Sequence, residues 1–220
     1  MNIDNQIASI RAAGGDPSGD PKGDPRGDPR GDPRRARILE GALKVFLAYG
    51  FNRTTMDDIA RAAELSRPAL YLVFRNKTDI YRAIARCLLA ECARRAEAAL
   101  AEEGPLIDRL DRLVEAALFS MLKDIEAAPH GPDLLDRKNS LAGDVIAEWR
   151  AGMDAALEAA FSREAEENGV DLAARGLSAR AVAETFLDAL EGMKPRLNDP
   201  LCHLDRARSV ARVLVAALRP

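Results

Sequence analysis

The chain has 220 residues, of which 47% are apolar, 30% charged and only 5% aromatic, with a formal net charge of −3. That length can bury the core of one compact domain or two small ones, and the composition favours helices over sheets. There is no run of about 20 apolar residues and no basic-then-apolar leader, so neither a membrane span nor a secretory signal is expected and a cytoplasmic protein is.

Residues 1–14 are polar and unpatterned, and a tetrapeptide repeat follows them: GDPS, GDPK, then GDPR three times. Aspartate before every proline and glycine after every unit oppose a helix, and the repeat has nothing apolar to bury. Residues 1–33 are therefore expected to form a disordered tail. From about 35 to 49 a helix places Ile38, Ala42, Val45, Phe46 and Tyr49 on one stripe, and Gly50 ends it. Thr55 and Asp58 are spaced as a capping box that opens a short helix carrying Ile59, Ala60 and Ala63. After a break at Glu64-Leu65, Ser66 caps a second short helix with Pro68 in its first turn. Leu70 and Phe74, four apart, turn inward, which leaves Arg67, Ala69, Tyr71 and Leu72 for the outside. Helix, tight turn and helix with a polar-aromatic outer face is a helix-turn-helix signature, over about 55–74.

Gly50-Phe51, Thr54-Thr55-Met56, Asp58-Ile59-Ala60, Ala63, Leu65-Ser66, Leu70-Tyr71, Phe74 and Asn76-Lys77 together resemble the DNA-binding domain of the tetracycline-repressor (TetR) family. Two positions depart from that pattern. Glu64 stands where the family usually has glycine, so a left-handed backbone is expected there. Val73 stands where the family often has a histidine. The resemblance implies a domain at 34–86 in which Arg67, Pro68, Ala69, Tyr71 and Leu72 face the major groove, with Arg67 reading a base edge. Thr55, Tyr71 and Lys77 would anchor the DNA backbone, Lys77 at a helix start where a phosphate is welcome. Such families also have short N-terminal arms that touch the minor groove, which Arg26, Arg30, Arg34 and Arg35 could do; the composition alone reads as a passive tail.

The distribution of charge agrees with a nucleic-acid partner although the total does not. Residues 34–86 carry eleven basic against five acidic side chains, whereas residues 87–220 carry 17 against 24. A basic module joined to an acidic body suits DNA binding by the first and another task for the second.

Asn76 and Asp79 open a fourth helix, with Ile80, Ile84 and Leu88 inward, that runs to Gly104-Pro105. Helical periods continue over about 105–127, 133–139, 141–168, 178–194 and 201–218, with no convincing strand between them. The fold expected is all-α: an N-terminal three-helix DNA-binding domain and, over 87–220, a helical effector-binding and dimerisation domain, about nine helices in all. The family pairs its last two helices with those of a second subunit, and Ala181, Ala189, Ala207, Ala211 and Ala217 are small enough for close approach. An effector pocket is expected at Leu118, Met121, Leu122, Trp149, Met153 and Phe186, although each of these taken singly reads more readily as plain core.

Catalytic and metal signatures are missing. Cys87, Cys92 and Cys202 fit no zinc spacing, His130 and His203 have no carboxylate-cysteine cluster beside them, and no phosphate loop or nucleophile elbow occurs. No cofactor, metal or enzymatic activity is expected. The function expected is a homodimeric regulator, most often a repressor in this family, that binds a palindromic double-stranded operator and leaves it when a small hydrophobic effector binds. The alternative is a helical DNA-binding or protein-interaction module without an effector.

Overall fold

The computed structural model describes residues 4–12, 33–119, 125, 127–135, 141–193 and 200–220, and among these all regular structure is helical. In chain order the helices are α1 (Asp4–Ala12), α2 (Pro33–Tyr49), α3 (Met56–Ala62), α4 (Arg67–Tyr71) and α5 (Lys77–Ala101). They continue with α6 (Leu106–Leu113), which runs into a π-helical segment at Val114–Phe119, then α7 (Gly131–Leu135), α8 (Gly143–Glu167), α9 (Ala179–Met193) and α10 (Pro200–Ala216).

Two compact units result: Met1–Glu91 with Met121–Ala147, and Cys92–Ser120 with Glu148–Pro220. The expected division at 86/87 is thus displaced, and a stretch assigned to the effector domain belongs to the first unit. The reason is long-range packing: Ile125, Ala128 and Leu134 are buried in the same core cluster as Phe46, Ile59 and Leu70. Polar contacts hold this stretch too. The Tyr81 hydroxyl donates to the Leu134 carbonyl at 2.6 Å, and burial pushes its phenol pKa up, which keeps the donor proton in place. Arg82 donates to the Leu141 carbonyl at 3.1 Å and forms a two-pronged pair with Asp144. The hydrogen bond from Arg82 holds the Asp144 carboxyl below its usual range.

Residues 4–12, expected in the disordered tail, instead form α1, which packs on α2. Ile7 and Ile10, three apart, are both buried there. Of the repeat, at 15–34, only Pro33 and Arg34 are among the described residues, and they open α2. Tyr49, expected on the buried stripe of α2, is exposed at the last position of the helix, where Gly50 with φ 81° turns the chain away.

The second unit is built on Leu106, Leu110, Leu113, Met153, Leu157, Phe161, Val182 and Phe186, all buried. Phe161 and Phe186 meet edge to face with ring centres 6.4 Å apart. Arg109 is buried in this apolar setting and is met by the Leu100 carbonyl at 3.1 Å and by Glu164 at 3.6 Å. No helix among the described residues is long and apolar enough to cross a membrane.

Candidate nucleic-acid interface

α3 and α4 are each started by a side chain. Thr55 accepts from the Asp58 amide at 3.2 Å, and Asp58 in return accepts from the Thr55 amide at 2.9 Å and from its hydroxyl at 2.6 Å. Those bonds, the Thr55 hydroxyl first, hold the Asp58 carboxyl below its usual range. Ser66 accepts from the Ala69 amide at 3.3 Å, with Pro68 in the first turn of α4. Both caps lie where the spacing placed them.

Between the two helices Glu64 is left-handed, with φ 54°, as its place in the turn implied. An L-residue pays strain for that backbone. The turn is closed by the Leu65 amide donating to the Ala60 carbonyl at 2.9 Å. It is also held from α2. Arg37 donates to the Ala63 carbonyl at 3.0 Å and to the Glu64 carboxylate at 3.3 Å. Gly41 lies so near that a Cβ on it would sit 2.8 Å from the Ala63 nitrogen. Neither Arg37 nor Gly41 was singled out from the sequence. The available signal was a glycine in the middle of a helix, where propensity alone disfavours it.

α4 buries Leu70, and Phe74 just beyond it is buried too, so the opposite face is outside. Tyr71 is 43% exposed and Leu72 81% exposed, and Arg67 and Pro68 are exposed beside them; Ala69 is half-buried. The Arg67 guanidinium lies 3.1 Å from the Asp57 carboxylate and 5.6 Å above the Tyr71 ring, so one cation links α3 and α4 across the outer face. Arg35 stacks on Phe74 at 4.8 Å.

Lys77 has partners other than the phosphate expected. Its ammonium donates to the carbonyls of Phe51, Asn52 and Thr54 at 2.8, 3.2 and 3.0 Å and lies 4.6 Å from the centre of the Phe51 ring. An ammonium has three protons, and all three are used here. Lys77 therefore ties the α2–α3 loop to the start of α5, where Asn76 caps by accepting from the Asp79 amide at 2.9 Å.

Of the six expected pocket residues, Trp149, Met153 and Phe186 are among the described side chains. Met153 and Phe186 are core, while Trp149 is half-buried with an indole N–H that is shielded from solvent and has no hydrogen-bond partner among the described residues. The Leu118 side chain, Met121 and Leu122 lie outside the described residues. An open groove of about 350 Å³ between α5 and α6 is lined by Arg95, Ala98, Ala99, Arg112 and Ala116 among others, and the described lining does not include Trp149, Met153 or Phe186. No group of three or more His, Cys, Asp or Glu able to hold a metal occurs among the described residues.

Residues 38–84 match the family model described as bacterial regulatory proteins, tetR family. A regulator from Bacillus subtilis, the helix-turn-helix-type YhgD, is 33% identical over 90 residues, covering 41% of this chain and 45% of that protein. The transcriptional repressor Rv1474c of Mycobacterium tuberculosis is 30% identical over 109 residues, 50% of this chain and 49% of its own length. The matches thus span about half the length of these two relatives. Among solved structures, the TetR-family regulator PfmR of Thermus thermophilus is 26% identical with a TM-score of 0.55, over 82% of this chain and 97% of that one.

Proposed function

We propose, from the membership of residues 38–84 in the tetR family of bacterial regulatory proteins, that the whole chain is a dimeric transcriptional regulator, a repressor that leaves its operator when a small hydrophobic molecule binds. The observation that carries the reading is the outer face of α4. A five-residue helix that buries Leu70 presents Arg67, Pro68, Tyr71 and the largely exposed Leu72 to solvent. A monomer gains nothing from exposing an aromatic and a leucine side by side, whereas a base edge, a thymine methyl and a phosphate give each a partner. Thr55, exposed at the start of α3, serves as the backbone anchor.

Dimerisation is supported by α9 and α10. Ala181, Thr185 and Gly192 on α9 and Ser209, Val213 and Ala216 on α10 are exposed and mostly small, and Val213 is 71% exposed. Two reading heads are needed because one such short helix reaches too few base pairs to be selective. The orphaned Trp149 indole N–H supports the effector reading, since a buried donor without a partner suits a ligand acceptor. The burial of Met153 and Phe186 favours the second reading, a DNA-binding module without an effector.

Footprinting on the DNA flanking the gene tests the first part: a protected palindrome is expected, and uniform coating of all fragments would remove the regulator reading. Repeating the footprint with a panel of hydrophobic small molecules separates the two readings. Release by one of them supports an effector, and release by none favours the module.

A further inference from the structure

We propose that α1 is an intramolecular partner of the DNA-binding unit that holds α2, and through α2 the turn between α3 and α4, so that undocking α1 weakens DNA binding. The evidence begins with α2. Its buried residues run around the helix, Ile38 and Leu39 through Val45, Phe46 and Leu47, instead of along one side. Two stripes account for this. One contains Ile38, Ala42 and Phe46, the other Leu39, Leu43 and Leu47 at successive i, i+4 steps. The first is the stripe a three-helix head needs. The second needs other cover, and two neighbours pack on α2: α7, with the His130 amide just before it donating to the Leu47 carbonyl at 3.2 Å, and α1, with Ile10 fully buried in the same cluster as Leu39, Leu43 and Leu47.

Glu40 makes the docking specific. Its side chain is only 12% exposed on α2, and Arg11 meets the carboxylate with two hydrogen bonds, from Nε at 2.7 Å and from Nη2 at 3.0 Å. A shielded carboxylate and a paired guanidinium fix one register of α1 on α2. On either side of Glu40 in the chain are Arg37 and Gly41, the residues that hold the turn. One turn of α2 thus carries the α1 contact and the Ala63 contact together.

The docking is weak enough to act as a control. A nine-residue helix is not stable alone in water, so α1 is helical only where it is docked. Two buried isoleucines, the buried Gln6 and Ser9 and the Arg11–Glu40 pair must offset the ordering of those residues, which leaves the docked state favoured by a margin small beside the stability of the whole unit.

The test uses the full chain with four variants: Ile10→Asp, Arg11→Glu, Glu40→Arg, and the last two combined. Hydrogen exchange is followed at residues 7–12 and 38–47, and affinity for mixed-sequence duplex DNA is measured at low salt, well below the unfolding temperature. In the parent chain residues 7–12 should be protected. Ile10→Asp should remove that protection, speed exchange in α2 and lower DNA affinity about tenfold. Arg11→Glu should do the same more weakly, and adding Glu40→Arg should restore both readouts. Unprotected residues 7–12 in the parent chain would overturn the docking. Lost protection with unchanged DNA affinity would overturn the coupling and leave α1 a passive cap. The second readout rests on the DNA-binding reading; if the parent chain bound no duplex, that reading would fail by itself and the coupling to DNA with it, while exchange would still decide the docking.

Discussion

Gly41 on α2 and Ala63 at the end of α3 meet backbone to backbone: a Cβ added to the glycine would lie 2.8 Å from the Ala63 nitrogen and 2.9 Å from the carbonyl carbon of Ala62. Helix propensity favours alanine over glycine by about 1 kcal/mol. Contact wins here, because what it would strike is main chain and overpacking of that kind costs about 1–3 kcal/mol. Gly41→Ala should therefore lower the midpoint of urea unfolding; a raised midpoint would show that α2 and α3 can separate without cost.

Arg67 carries the base-reading expectation. Arg67→Ala should cost about 1–3 kcal/mol of operator binding and relax preference at one position of each half-site. The measurement is affinity for a set of operators with single substitutions. Equal weakening on all of them would place Arg67 on phosphate alone.

For Lys77 the carbonyl partners suggest a different test from the phosphate contact its position implies. Its ammonium satisfies three carbonyls, so Lys77→Gln should destabilise the first unit by about 1–3 kcal/mol while leaving the salt dependence of DNA binding unchanged. A salt slope shallower by about 1 would return the lysine to a phosphate contact.

The capping box gives a pH dependence whose sign is fixed. Asp58 is held below its usual range in the folded chain, so its contribution is complete above the unfolded aspartate pKa and is lost as pH falls through the lower folded value. The difference in unfolding temperature between the parent chain and Asp58→Ala should be full at neutral pH and should close below about pH 4. A difference that persisted into strong acid would mean that Asp58 acts through something other than its charge.

Assembly is tested best on the exposed side of α10. Ala207 and Ala211, small enough to suggest a subunit contact, are buried within the chain itself. Ala211→Glu should therefore unfold the second unit, whereas Val213→Glu with Ser209→Glu should leave it folded and yield monomers in sedimentation. Interfaces of this kind bury about 2,000 Å² or more, so two charges at the centre are enough to prevent pairing. A double variant that sediments as a dimer would move the interface elsewhere.

What could be read from the chain divides along a physical line. Thr55, Ser66, Asn76 and Gly50 were legible because a cap or a turn is decided by residues within four positions of it. The outward set on α4 followed from the spacing of Leu70 and Phe74 in the same way. Tertiary contacts across long separations were not legible. Tyr81 bonds a residue 53 positions away and Arg11 one 29 away, and no local pattern announces either. α1 was missed because its two isoleucines stand in polar surroundings, and the carbonyl partners of Lys77 were hidden because they come from another loop.

The shape of the turn at Glu64 is kept by a helix that does not belong to the motif. Arg37 and Gly41 stand outside the 55–74 stretch that a sequence pattern would cut out, yet they hold the left-handed residue where it is. Transplanting that stretch into another framework would leave its mould behind. The chimera would keep every side chain of the reading face, but the angle between α3 and α4 would be set by the new host.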